Sequence, residues 1–176
     1  MENNCTYIDF DGVILDSEER MLCRKSEVGF INHNNSDEFI KYFEYTNTHP
    51  EEWDYILRNA VPINNSVEIL QELEKMKKNI SILTKIHTLL EMKMKVEIIR
   101  NEINLSCPII FVPPNIAKHQ VIIPNHQLLI DDSEKNIIKW NENGGVGYIF
   151  DSSLKNDEKN KVRSLEFLLK GWLYGK

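Results

Sequence analysis

Short apolar runs alternate with helical stretches along most of the chain, and this alternation restricts the fold more than any other feature of the sequence. Apolar, β-branched runs predict buried strands at residues 6–10, 80–83, 109–112, 127–130 and 146–150. Residues 66–78, 89–99 and 133–143 have helical patterns, and an apolar stripe predicts a last helix: Val162, Leu165, Leu168, Leu169 and Trp172. Continuously apolar strands separated by helices are typical of parallel sheets covered on both faces. The pattern therefore predicts an α/β fold with a Rossmann-like, doubly wound parallel sheet.

One stretch after the first strand lacks this alternation. Between residues 18 and 65 no strand is convincing, whereas residues 36–45 and 49–60 have the pattern of short helices, the second with Pro50 near its first turn. We expect a small helical cap at residues 17–65, inserted into a core domain of residues 1–16 and 66–176. Six aromatic residues could build the core of this cap or offer a stacking surface for a nucleobase: Phe39, Tyr42, Phe43, Tyr45, Trp53 and Tyr55.

Composition excludes several classes of protein. The 176 residues suit one domain with a modest insertion. The net charge of −6 argues against a nucleic-acid polymer or an anionic membrane as the partner, because both require clustered Lys and Arg. The three cysteines have neither disulfide nor zinc spacing, and no apolar run is long enough for a membrane span. The first strand begins too near Met1 to leave room for a signal peptide, so we expect a cytoplasmic enzyme or binding protein. The sequence does not indicate an oligomeric state.

Polar side chains follow three of the predicted strands. Asp9 and Asp11 lie at the end of the first, Thr84 follows the second, and Asp131 and Asp132 follow the fourth. An Asp-x-Asp-Gly sequence alone is also typical of a turn. However, the carboxyl ends of parallel strands meet at one edge of a sheet, so we expect these side chains to converge. Four carboxylates at one edge require a cation, and hard oxygen ligands suit Mg²⁺.

The same edge is expected to bind phosphate. Thr84 offers a hydroxyl donor, and Lys118, on the predicted loop before the fourth strand, offers a positive charge. Lys85 beside Thr84 is the alternative lysine, and for either of them a solvated position is the ordinary interpretation. Gly12 would allow the backbone to turn tightly beside a phosphate.

Four stretches, in this order, resemble the four motifs of the haloacid dehalogenase (HAD) superfamily, in its phosphatase branch. "DFDGV" resembles the first motif and "SILTK" the second. Lys118 in "NIAKHQ" resembles the third, and "LLIDDSEKNI" the fourth. The small helical cap together with "LLIDD" is similar to the 5′(3′)-deoxyribonucleotidase branch. Lys85 and the long segment from Lys118 to Asp131 depart from that branch.

The resemblance implies a role for each acidic residue. Asp9 would be the nucleophile that forms an aspartyl-phosphate, and Asp11 would be the general acid and then the general base. Dehalogenases of the family lack the second acid, so Asp11 favours a phosphatase. Mg²⁺ would be held by Asp9, the Asp11 backbone carbonyl and Asp132, with Asp131 close behind.

The resemblance also implies the substrate class. Thr84 and Lys118 would bind the phosphoryl oxygens of a small phosphorylated metabolite, with a nucleoside monophosphate as one candidate. The expected activity is Mg²⁺-dependent hydrolysis of a phosphomonoester. A sugar-phosphate phosphatase, a phosphomutase and a non-catalytic nucleotide- or phosphate-binding protein on the same fold are the alternatives.

Overall fold

The strands form one parallel six-stranded sheet, in the order β3-β2-β1-β4-β5-β6. The structure is a computed structural model, and it describes residues 5–30 and 36–173. The strands are β1 Thr6–Ile8, β2 Ile80–Lys85, β3 Ile109–Val112, β4 Leu128–Asp131, β5 Val146–Phe150 and β6 Lys161–Val162. The outer strands pair with their neighbours in parallel as the inner ones do. The predicted α/β class and parallel sheet are confirmed.

The helices connect these strands, and three of them lie between β1 and the helix that leads into β2. They are α1 Ser17–Glu27, α2 Ser36–Thr48, α3 Pro50–Asn59, α4 Ser66–Lys75, α5 Leu89–Glu97, α6 Lys118–Val121, α7 Glu134–Glu142 and α8 Glu166–Leu173. A π-helical turn, Ile98–Glu102, continues α5. The described helices include none that is both long and apolar enough to cross a membrane.

Alternate residues of the central strands bury opposite faces of the sheet. Ile8 and Ile130 join the larger apolar cluster, which includes residues of α4, α5 and α8. Tyr7 and Leu129 join a second cluster with Trp140 of α7. Because side chains alternate across a strand, this division places helices on both faces, as a doubly wound sheet requires. β1 lies in the middle, paired with β2 on one side and β4 on the other.

The structure differs from the sequence prediction mainly at element ends. β2 continues through Thr84 and Lys85, and Asp131 is the last residue of β4, so the sheet itself fixes Thr84 and Asp131. Lys118 begins the short helix α6 rather than lying in a loop. Besides α6, two further elements of the described chain were not predicted. Helix α1 is rich in charged residues, and β6 has only two residues, too few for a periodic signal. Val162 belongs to β6 rather than to the last helix.

Most aromatic residues of the expected cap pack within it. Tyr42 is fully buried, and Tyr55 lies under the guanidinium groups of Arg20 and Arg24. The rings of Phe43 and Trp53 meet edge to face, with centroids 5.9 Å apart. The side chains of Phe39 and Trp172 lie outside the described part of the chain. A small group of helices needs bulky side chains to form any core, which accounts for this packing.

Candidate active site

Lys118 connects two carboxylates from neighbouring strands. Its Nζ lies 2.6 Å from Asp9 Oδ2 and 2.6 Å from Asp131 Oδ2, and the side chain is 2% exposed. The backbone N–H of Phe10 donates to Asp9 Oδ1 over 2.8 Å. Lys85 is half-buried beside a cavity at the carboxyl edge of the sheet, and it forms no ion pair with any described residue. Of the two lysines, Lys118 is the one in contact with Asp9.

Asp131 is held on both of its carboxylate oxygens. Oδ1 accepts from the Ser133 backbone N–H and from Asn136 Nδ2, each over 2.9 Å. Oδ2 accepts from Lys118, and also from Asn136 Nδ2 over 3.0 Å. Asp131 is fully buried, so these bonds replace the water that the carboxylate has lost.

Asp132 has a different environment. It lines the cavity at the carboxyl edge of the sheet, and none of the described residues donates a hydrogen bond to its carboxylate. Burial, followed by the charges of Glu18 and Asp131, raises the pKa of Asp132 to about 7. Because its oxygens are otherwise unoccupied, Asp132 has more capacity for a cation than Asp131.

These carboxylates fit a divalent cation. Asp9, Asp131 and Asp132 each offer one oxygen, and the three oxygens lie within 4.8 Å of one another. Gly12, at φ +69°, makes room for one of them, since a Cβ there would lie 2.2 Å from Asp132 Oδ2. Burial raises the pKa of Asp9, the Lys118 ammonium opposes this, and the charges of Asp131 and Asp11 add to it. An acidic cluster of this kind favours a hard cation such as Mg²⁺.

Asp11 is enclosed by hydrogen-bond donors. Ser17 Oγ donates to Oδ1 over 2.6 Å, and Lys95 Nζ donates to Oδ2 over 2.5 Å. The Thr84 hydroxyl is 3.3 Å from the same Oδ2. Burial alone would raise the pKa of Asp11, but the charge and hydrogen bond of Lys95 and the hydrogen bond of Ser17 lower it. Asp11 is therefore held as a carboxylate.

Of the two side chains expected to bind phosphate, Lys118 reaches a cavity and Thr84 does not. A cavity of about 430 Å³ opens at the carboxyl edge of the sheet, lined by Asp9, Asp11, Lys118 and Asp132 among others. Thr84 is fully buried and does not line this cavity; its hydroxyl faces Asp11 and the Lys85 carbonyl. In the described arrangement, Thr84 therefore contacts Asp11 and does not reach the cavity.

Sequence reasoning missed Lys95 and Ser17. The only signal for Lys95 is its place four residues after Glu91, on the side of α5 that carries the buried Met94. A charged i, i+4 pair on a helix is ordinarily a solvated feature, so the pattern did not distinguish Lys95. Ser17 is the first residue of α1, and a serine there is typical of a helix start.

No family model and no curated protein sequence matches the chain, but solved structures do. A candidate haloacid dehalogenase-like hydrolase from Bacteroides fragilis has a TM-score of 0.66 at 15% identity, covering 94% of this chain and 99% of that one. A candidate β-phosphoglucomutase from Thermotoga maritima has a TM-score of 0.63 at 13% identity, with coverages of 97% and 99%. A candidate HAD-hydrolase from Bacillus subtilis, bound to magnesium, has a TM-score of 0.62 at 12% identity, with coverages of 95% and 97%. These likenesses concern the fold.

Proposed function

We propose that this chain, whose fold is that of the HAD hydrolases, is a Mg²⁺-dependent phosphomonoester hydrolase that works through an aspartyl-phosphate. One observation carries the proposal: Lys118 Nζ lies 2.6 Å from both Asp9 and Asp131, where the Asp9 carboxylate reaches the cavity. A carboxylate beside a buried ammonium and a cation-binding cluster is suited to attack an anionic phosphorus centre.

In the first step an oxygen of Asp9 attacks phosphorus, and the bond from phosphorus to the leaving-group oxygen breaks. Lys118 offsets the negative charge around Asp9, while Phe10 N–H fixes the other oxygen. Asp11, if protonated, donates its proton to the leaving group. Asp9, Asp132 and the Asp11 carbonyl, with Asp131 beside them, would hold Mg²⁺, which when bound would neutralise charge on the phosphoryl oxygens.

In the second step water attacks the phosphorus of the aspartyl-phosphate. The bond from phosphorus to Asp9 breaks, Asp11 accepts the proton of the water, and inorganic phosphate leaves. The low pKa of Asp11 suits this step, since it keeps the carboxylate ready to accept a proton. The same low pKa hinders the first step, so esters with acidic leaving groups should react fastest.

The cavity favours a small polar substrate. Beyond the carboxylates and Lys118, its lining includes Lys85, Asn115, Gln120, Lys135 and Asn136. No described residue that lines it is Phe, Tyr or Trp, so the rings it offers to a nucleobase are the smaller imidazoles of His87 and His119. Phe43 and Trp53 reach only a neighbouring cavity of about 70 Å³ beside Asp11. Polyol and sugar phosphates therefore fit better than a nucleoside monophosphate.

A panel of sugar phosphates, nucleotides and p-nitrophenyl phosphate tests the proposal. We expect turnover that requires Mg²⁺ and stops on chelation, and we expect Asp9→Asn to lose nearly all of it. Asp151→Asn is the matched control, because Asp151 follows β5 at the same edge but does not line the cavity. Full turnover by Asp9→Asn would contradict the proposal.

Two other functions remain as outcomes of this assay. A phosphomutase would convert a sugar 1-phosphate into an isomeric phosphate without releasing inorganic phosphate. A non-catalytic binding protein would bind a phosphorylated ligand tightly without turnover. Product analysis separates both from hydrolysis.

A further inference from the structure

In the steps above, the buried side chain of Lys95 acts only by lowering the pKa of Asp11. We propose that Lys95 is a positioning residue for Asp11, holding its carboxylate beside the phosphoryl site while water attacks the aspartyl-phosphate. The inference deepens the proposed function and rests on it.

Every N–H donor of the Lys95 ammonium has an acceptor inside the protein. Its Nζ lies 2.5 Å from Asp11 Oδ2 and 2.8 Å from Glu91 Oε1. The Thr84 hydroxyl, at 3.1 Å, and the Lys85 carbonyl, at 2.9 Å, complete the shell. An ammonium has three N–H donors, so these acceptors use all of them. The side chain is fully buried and does not line the cavity, and therefore it reaches the reaction only through Asp11.

Stability alone does not account for this charge. Burying an ammonium carries a desolvation penalty, and replacing a whole buried ion pair by apolar residues is often neutral or stabilising. Apolar residues in place of both Lys95 and Glu91 would remove this buried pair of α5 without that penalty. Glu91 on the same helix could neutralise Lys95 unaided, yet the shortest contact of Lys95 is to Asp11.

The need for positioning follows from where Asp11 lies. It stands in the loop after β1, next to Gly12, rather than in the sheet. Ser17 holds Oδ1 from the start of α1, and Lys95 holds Oδ2 from α5. A base must stay within hydrogen-bond reach of the attacking water, and small displacements lower the rate steeply. Without Lys95, the long 3.3 Å contact to Thr84 would be the one hydrogen bond left on Oδ2 from the described part of the chain.

Rapid-mixing kinetics of Lys95→Met with p-nitrophenyl phosphate separates positioning from a structural role. The nitrophenolate leaving group needs little protonation, so aspartyl-phosphate formation should continue at close to the wild-type rate. Its hydrolysis needs a placed base, so we expect the steady-state rate to fall tenfold or more. The ratio of burst rate to steady-state rate should therefore rise at least tenfold. Lys93→Met, an exposed lysine on the same helix, should leave both rates unchanged.

The double variant Glu91→Leu/Lys95→Met tests whether a fall in rate comes from misfolding. It removes both charges of the i, i+4 pair, so Glu91 is not left buried without its partner. It should show the same raised burst ratio. If the burst rate and the steady-state rate fell equally, or if both kept wild-type values, the role of Lys95 would be overturned. The proposed function would still stand in that case, provided that the wild type showed Mg²⁺-dependent turnover. Absence of wild-type turnover across the panel would overturn both.

Discussion

At the scale of single residues, the site depends on carboxylates that receive different numbers of partners. Asp131 accepts on both oxygens and Asp11 is enclosed by donors, whereas no described donor contacts the carboxylate of Asp132. Burial without partners raises the pKa of a carboxyl group, and burial with cationic partners lowers it. One kind of residue can therefore anchor a lysine, move a proton or bind a cation according to its contacts.

Gly12→Ala should weaken Mg²⁺ binding by about tenfold or more, the range seen when the support of metal ligands is disturbed. The new Cβ would lie 2.2 Å from Asp132 Oδ2 and would displace that carboxylate. Calorimetric titration with Mg²⁺ measures the effect. Gly29→Ala is the control: its φ of +96° imposes a similar backbone cost, about 1–2 kcal/mol, but no atom of the described residues lies within 4 Å of the added atom. Equal Mg²⁺ affinities in the two variants would contradict the prediction.

The raised pKa of Asp132 predicts a pH dependence. Its pKa is about 7 in the folded protein and about 3.9 when unfolded. The folded state therefore binds more protons across this window, and the contribution of Asp132 to stability falls as pH rises from about 4 to 7. Protons and Mg²⁺ compete for the same oxygens, so Mg²⁺ affinity should rise by up to about tenfold per pH unit below 7.

Urea denaturation without Mg²⁺ at pH 5 and pH 8 tests the first effect, and Mg²⁺ titration at pH 6 and pH 8 the second. Asp132→Asn should lose less stability than the wild type between pH 5 and pH 8. An unchanged pH profile in this variant would show that another group is responsible.

At the scale of elements, a four-residue helix is too short to be stable alone, and side-chain contacts must hold α6 in place. Its first residue, Lys118, is bound to β4 through Asp131 and to the end of β1 through Asp9. α5 is fixed in a related way, since Thr88 Oγ1 accepts from the Glu91 N–H at its start and Lys95 joins it to Asp11. Two helices are thus tied to the sheet by the same ionic groups that form the candidate site.

Lys118→Met should destabilise the protein by about 3–5 kcal/mol, the cost of leaving buried charges without their partner. Mg²⁺ should restore part of this loss, and more than it stabilises the wild type, because it would supply the missing positive charge. Urea denaturation with and without Mg²⁺ gives both values. Lys85→Met is the matched control, since Lys85 has no ion-pair partner among the described residues. A similar loss in Lys85→Met would mean that the contact with Asp9 and Asp131 is not the cause.

At the scale of the whole molecule, α1, α2 and α3 are joined to the sheet-covering helix α5. α3 packs against α5, and the Phe43 and His87 rings meet with centroids 4.3 Å apart. Arg58 of α3 pairs with Glu97 at 2.6 Å and also with Glu102 of the π-helical turn. These contacts close one side of the region around Asp11, and the exposed ion pairs make that closure sensitive to salt.

Arg58→Met should change the free energy of unfolding by less than about 1 kcal/mol, because exposed ion pairs contribute little. It should nevertheless speed limited proteolysis within residues 17–65, and added salt should speed cleavage of the wild type in the same way. Lys75→Met, which removes an exposed pair with Glu72 inside α4, is the control. Equal cleavage rates in the two variants would show that Arg58 does not hold this segment.

The sequence by itself determined five of the six strands in the described sheet, their order along the chain and the edge at which Asp9, Asp11, Asp131 and Asp132 meet. Strand positions follow from apolar runs, and parallel strands place their carboxyl ends together whatever the loops do. Lys118 was also within reach of sequence reasoning through motif order, although its choice over Lys85 depended on contacts that link residues far apart in the chain.

Only the tertiary structure decided what each carboxylate touches. Lys95 lies 84 residues from Asp11 along the chain, and no local pattern records that they meet. The packing of Tyr42 and Trp53 likewise became clear only when the helices around them were in place. Periodicity reports which face of an element is buried, whereas partners for buried charges are set by the distances between elements, and those distances exist only in the folded chain.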